Sequence, residues 1–231
     1  MRNRLLIASI LILIIIPLTI FFGVFFLEDR KYYFISMMII IYTMIPFIMV
    51  FEERKPQARE LIVIGVLTAI SVAGRVAFYW LPQFKPVVAI TIISGVSFGA
   101  EAGFFVGALS GFVSNFFFSQ GPWTPWQMFC FGIIGFISGV LVKFNILKKD
   151  RLSLCIFGGF STFFIYGGII NFGSLLIFSK FSLKGLVASY ISGFWFDMVH
   201  SIATVVFLYV ISQSMLEKLE RIKIKYGLIK E

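Results

Sequence analysis

Charge is what this sequence has least of. Of its 231 residues only 13% are Asp, Glu, Lys or Arg, whereas 59% are hydrophobic and the mean hydropathy is +0.98. Soluble domains carry about 25% charged residues, so a soluble globular domain is excluded. Cysteine and histidine are nearly absent, with two and one copies. Cys130 and Cys155 lie in or beside apolar runs, and with His200 they cannot build a disulfide framework or a metal cluster. No metal or cofactor is expected. No GxxxxGK[ST] stretch occurs, so there is no ATP site of that type. HExxH is missing too, which leaves a hydrolase short of that metal motif. Acidic residues are outnumbered 11 to 20, giving a net charge of +9. In a soluble chain that excess would suggest nucleic acid. Here it records membrane orientation, and no nucleic-acid partner is expected.

What the sequence has in abundance is apolar length. A helix needs about 20 apolar residues to cross a hydrocarbon core, and within lipid its backbone must be paired internally. The runs 5–27, 33–51, 59–81, 87–99, 102–118, 126–143, 153–178 and 186–213 are the expected spans of an all-α integral membrane protein. The fourth is short and should be tilted or partly re-entrant. The run after MRNR is too long for a signal peptide and lacks a small-residue cleavage site, so it reads as an anchor. Eight spans with the N-terminus inside put fourteen of the twenty Lys and Arg on the inner side and five on the outer, with Arg75 inside a span. Both termini are therefore expected in the cytoplasm of a multi-pass cell-membrane protein. The polar break EERKPQARE divides two helices (1–57) from a six-helix core (58–214), and 215–231 reads as a basic amphipathic tail at the inner surface.

The core is organised around GAEAGFFVGALSGFVSNFFFSQGPWTPWQMFCFGIIGFISG. Gly103, Gly107 and Gly111 share one helix face, and Gly132, Gly135 and Gly139 another, so these two helices are expected to approach closely. Glycines alone signify packing. The Pro-Gly loop between the helices adds Gln120, Trp123, Trp126 and Gln127, which suggests the rim of a pocket. A charged side chain in a span costs about 2.5–3.5 kcal/mol on insertion scales, so Arg75, Asn115, Gln127, Asn171, Asp197 and His200 are candidate site residues. With the expected topology most of this polarity falls in the outer half, as a pocket open to the outside requires. Asn115, Gln127, Asn171 and Asp197 are expected to face one cavity, with Lys85 and Trp195 near its mouth. Packing alternatives remain open: Arg75 and Asp197 could neutralise one another, and the amides and His200 could tie helices together. In the first core helix Gly65, Ala69 and Ala73 repeat every four residues, a stripe that admits a partner helix.

The Ala69/Ala73 stripe, the connection LPQFKP, the glycine-rich block and FDMVHSIATVVF together resemble the substrate-binding S components of energy-coupling factor (ECF) vitamin transporters, over about three quarters of the chain. The resemblance implies a six-helix bundle, here with two extra N-terminal transmembrane helices, and no enzymatic activity. It also implies capture of a vitamin or precursor from outside, and ATP-driven import by a transmembrane coupling subunit with two ATPase subunits. QGPWTPWQM resembles a subgroup taking cobalamin or corrinoids, so cobalamin is the first expectation; pantothenate or a nucleobase derivative would also suit such a rim. Two other classes compete: an intramembrane enzyme using Asp197 and His200, and a structural assembly protein whose glycines serve packing only.

Overall fold

The computed structural model describes residues 6–7, 9–26, 38, 41–42, 58–179 and 182–227. The expected second span, 33–51, lies outside these residues apart from three positions, as does most of the polar break after it. Among the described residues every regular element is helical. A π-helical turn, Leu11–Ile15, leads into α1 (Ile16–Phe26). The core is formed by α2 (Ala58–Ala77), α3 (Val87–Phe98), α4 (Ala100–Phe118), α5 (Thr124–Lys143), α6 (Arg151–Phe160), α7 (Gly168–Phe178) and α8 (Leu183–Tyr226). Among the described residues four segments are long and apolar enough to cross a membrane: Ala100–Phe118, Thr124–Lys143, Arg151–Phe178 and Leu183–Tyr226; the apolar helices 11–22, 61–77 and 87–98 are shorter. The protein is an all-α integral membrane protein.

The expected span 59–81 stops at Ala77. Residues 78–81 wind into successive turns, with Tyr79 N–H donating to the Val76 carbonyl (2.9 Å) and Leu81 N–H to that of Phe78 (3.1 Å). A helix end leaves carbonyls without intrahelical donors. Lys85 supplies them from across the loop: its ammonium donates to the carbonyls of Phe78, Tyr79 (3.2 Å) and Leu81 (2.8 Å).

The short α3 needs no lipid contact, because Val87 to Ser97 are all buried. It sits inside the bundle, so its 12 residues do not have to match the bilayer thickness. A single residue, Gly99 (φ 95°), separates it from α4. That backbone region suits glycine, which has no Cβ to clash. The expected glycine seam is present: a Cβ on Gly103 would strike the backbone of Gly135, and one on Gly135 would strike that of Gly103. Close van der Waals packing of this kind is the main force between helices in lipid. The close approach continues toward the Gln120–Trp123 loop, where a Cβ on Gly107 would strike the backbone of Phe131.

The expected span 153–178 is one continuous helical rod from Arg151 to Phe178, interrupted by a π-helical stretch, Ser161–Gly167. Asp150 starts it, its carboxylate accepting from Ser153 N–H (3.0 Å) and Ser153 Oγ (2.8 Å). Both contacts, from Ser153's backbone amide first, hold the Asp150 carboxyl below its ordinary pKa. The last span, expected over 186–213, continues unbroken to Tyr226. No proline or glycine interrupts residues 194–226, so nothing in the chain stops the helix before Gly227. The N-terminal helix is packed firmly on the core. Ile12, Ile16 and Ile20, one per turn, are buried, and Phe21 meets Trp126 edge-on at 5.8 Å.

Candidate binding cavity

At the end of the bundle where α2 stops and α3 begins, a cavity of about 320 Å³ opens between α2, α4, α5, the π-helical stretch and α8. Arg75, Lys85, Phe118, Phe131, Tyr166 and His200 line it, with Tyr79 and Gln83 at the loop side. Arg75, on the last turn of α2, is 8% exposed. A buried guanidinium is costly unless its geometry is held by hydrogen bonds. The α4 helix provides these: Nη1 of Arg75 donates to Ser114 Oγ and to Asn115 Oδ1 (2.9 Å). Asn115 Nδ2 donates in turn to Thr124 Oγ1 (3.0 Å) and Gln127 Oε1 (2.9 Å). Thr124 Oγ1 donates to Gln120 Oε1 (2.9 Å), and Gln120 Nε2 closes the chain on the Phe112 carbonyl (2.8 Å). Five side chains from α4, α5 and the loop between them thus lock one arginine in place.

The other walls are aromatic. The Arg75 guanidinium carbon lies 4.6 Å from the centre of the Phe118 ring, and Lys85 Nζ lies 5.3 Å from it. One ring therefore faces two cations. Phe131 and Tyr166 stack at 5.0 Å, and Tyr166 meets His200 edge-on at 4.6 Å. His200 is 2% exposed, and neither ring nitrogen has a hydrogen-bond partner among the described residues. Buried polar atoms are ordinarily paired, so two orphaned nitrogens in a cavity wall call for explanation. Lys85 is 8% exposed, and burial, then the charge of Arg75, holds its ammonium below the ordinary lysine pKa.

The expected site residues fall into separate groups. Arg75, Lys85 and His200 line the cavity, and Asn115, Gln120 and Gln127 stand behind Arg75 as its support. Asn171 and Asp197 do not join them. Asn171 Nδ2 donates to Asp197 Oδ2 at 2.6 Å, in a seam between α7 and α8. Ser189 Oγ donates to the Asn171 carbonyl (2.7 Å), and Tyr190 Oη donates to the Gly168 carbonyl (2.8 Å) in the same seam. Asp197 and His200 are three residues apart, only about 60° around the axis and one turn along it, yet His200 lines the cavity while Asp197 meets Asn171 of α7. Arg75 is not ion-paired with Asp197, and Asp197 is not hydrogen-bonded to His200, so no acid–histidine dyad forms.

The tryptophans are also dispersed. Trp123 lies 6.5 Å from Phe178, and its indole N–H donates to the Ser119 carbonyl (3.3 Å). Trp126 is buried beneath Phe21, beside a second, apolar cavity of about 350 Å³ lined by Pro17, Ile20 and Phe172. Trp195, 70% exposed, projects from α8 into the surroundings. Gly65, Ala69 and Ala73 are exposed on the outer face of α2.

Sequence reading alone missed Phe118, Phe131, Tyr166 and Gln83. The first three are aromatics among thirty phenylalanines and eight tyrosines, and carry no local signal. Gln83 could have been sought in the LPQFKP turn, where a non-glycine residue adopts φ 56°. Tyr166 stands on the π-helical stretch, a deformation often found at functional positions and invisible in composition.

No group of three or more potential metal-ligating side chains occurs among the described residues. The family model described as "ECF transporter, substrate-specific component" matches residues 59–219. A UPF0397 protein of Vibrio atlanticus (strain LGP32) is 27% identical over 124 residues, 51% of this chain and 68% of that protein. A UPF0397 protein of Aliivibrio salmonicida (strain LFI1238) is 30% identical over 128 residues, 51% of this chain and 67% of the relative. No solved structure matches. The matched segment begins just inside α2 and ends within α8, so it contains the whole cavity wall. The chain belongs to the ECF transporter substrate-specific component family: it is a multi-pass membrane protein of the substrate-binding kind, from a family of transporter components and not of enzymes.

Proposed function

We propose that the chain captures a vitamin or vitamin precursor from outside the cell in the cavity beside Arg75, and releases it inward when partner subunits drive the change. Those partners are a transmembrane coupling subunit and two ATPase subunits, as in ECF transporters generally. The observation that carries the reading is the arginine hydrogen-bonded by Ser114 and Asn115, with a further polar network behind Asn115, at a cavity wall that also holds an unpartnered histidine. A merely structural arginine would be expected to spend its donors within the protein. Ligand sites are mostly apolar clefts with a few placed polar groups, and this cavity fits that description.

Orientation follows from charge. Lys143, Lys148, Lys149, Arg151, Lys218, Arg221, Lys223 and Lys225 gather at the end of the bundle away from the cavity. Positive residues favour the cytoplasm, which supports a cavity that opens outward and termini on the inner side. The six helices from Ala58 form the binding unit, and the exposed Gly65, Ala69 and Ala73 stripe offers the coupling subunit a close approach. The cavity volume favours a compact cargo such as pantothenate over cobalamin, because a corrin ring with its nucleotide arm is several times larger. The use of Trp123 and Trp126 in packing weakens the same expectation.

Native mass spectrometry of the protein purified in detergent tests this, together with titration by cobalamin, pantothenate, riboflavin and thiamine. One small molecule bound per chain, without ATP and without ATPase activity, is the expected result. Absence of any bound molecule, with no titration response, would leave packing as the only role of the glycine seam and sink the proposal.

A further inference from the structure

The cavity has a sign. Arg75 and Lys85 both line it, both more than nine-tenths buried, and no Asp or Glu lines it among the described residues. Asp197, the acid nearest in sequence to the lining His200, does not line it and accepts a hydrogen bond from Asn171 Nδ2 at 2.6 Å. Two cations so placed repel a cationic ligand and favour an anion, and they do so strongly where water is sparse. The donors are also selective. Arg75 spends Nη1 on Ser114 and Asn115, while Nε and Nη2 have no partner among the described residues. A guanidinium edge of two parallel N–H groups matches the two oxygens of a carboxylate. Lys85 differs, because its donors are committed to the carbonyls of Phe78, Tyr79 and Leu81. It contributes charge and holds the loop. His200 completes the set, since a neutral imidazole has one donor and one acceptor nitrogen and both are unpartnered here. Phe118, Phe131 and Tyr166 supply an apolar wall that inorganic anions do not need.

We propose that the cargo is a compact organic carboxylate, its carboxyl group seated on the free edge of Arg75 and its neighbouring polar group on His200. This rests on the reading of the cavity as the cargo site, and it adds the chemical class. Neutral and cationic vitamins are excluded, as is a bare phosphate or a lipid headgroup.

The test uses the full chain in detergent and three probes of one shape: benzoate, benzamide and benzylamine, with inorganic phosphate as a fourth. Saturation-transfer NMR on the wild-type protein should show benzoate bound and the amide and amine not. Inorganic phosphate should fail to displace benzoate, and Arg75→Gln should weaken benzoate by about 10- to 100-fold, the range for hydrogen bonds to a charged group. The wild-type comparison needs no variant, so poor folding of Arg75→Gln cannot blunt it. Equal binding of benzoate and benzamide, no benzoate signal, or displacement by phosphate would each overturn the carboxylate class. Thiamine or cobalamin binding with benzoate silent would also overturn it while leaving the binding-subunit reading intact. A lipid headgroup as the true occupant would show as benzoate displaced by short-chain phosphatidylglycerol.

Discussion

Two polar clusters interrupt this apolar bundle, and they are built in opposite ways. In the seam between α7 and α8, Asn171, Asp197, Ser189 and Tyr190 are paired with one another or with backbone carbonyls. Around Arg75 the supporting residues are equally well paired, yet the cluster ends in unspent donors at a cavity wall. A polar residue in a membrane helix is thus a weak sign of function. The stronger sign is a polar group whose neighbours hold it still and leave part of it unused.

Substitutions should separate the clusters. The largest effect is expected from Arg75→Ala, which removes charge and fork together: binding of the native ligand should fall by roughly 100-fold or more, from about 3 kcal/mol or more of charged hydrogen bonding. Titration calorimetry checks this, and an unchanged Kd would erase the distinction between the clusters. Asn115→Ala should come next. It frees Arg75 rather than deleting it, and a loss of about 1.5–3 kcal/mol, roughly 10- to 150-fold, is expected in binding. A loss confined to thermal stability would place Asn115 in the packing class with Asn171. In the saturated seam, Asp197→Asn should shift binding by less than about threefold and move mainly Tm, because the amide can still pair with Asn171. A tenfold loss of affinity would put Asp197 back in the site. Smallest of all in binding should be Ala69→Trp, on the exposed face of α2: affinity of the isolated chain stays unchanged while uptake in cells with the partner subunits is lost. Retained uptake would remove the stripe from the coupling surface.

Much of the fold was legible in advance, and the reasons are specific. Apolar runs of membrane length located α4 through α7 and the start of α8 within a few residues, and the small residues on one face of each helix announced the α4–α5 seam. Arg75, Asn115, Gln127 and His200 were legible because polar residues are conspicuous in lipid. Their grouping was not. Whether His200 or Asp197 faces the cavity depends on the rotation of α8 about its axis, which no single-helix pattern determines. The tryptophans misdirected the reading for a similar reason: a Trp beside a Pro-Gly loop looks the same in sequence whether it meets a ligand or, as Trp126 does, the Phe21 ring of α1. Phe131 and Tyr166 were hidden by abundance. In a chain this rich in aromatics, only three-dimensional neighbours distinguish a cavity wall from lipid-facing bulk.

The unbroken length of α8 has a mechanical consequence. Its 44 residues amount to about 66 Å of rod, twice the thickness of a hydrocarbon core. His200 stands in its first half at the cavity wall, and Tyr226 lies roughly 39 Å farther along at the basic end. A stiff lever pivoting near His200 would carry its far tip about 7 Å for a tilt of only about 10°. In such a pivot a small tilt at the cavity end would appear as a much larger displacement at the basic end of the rod.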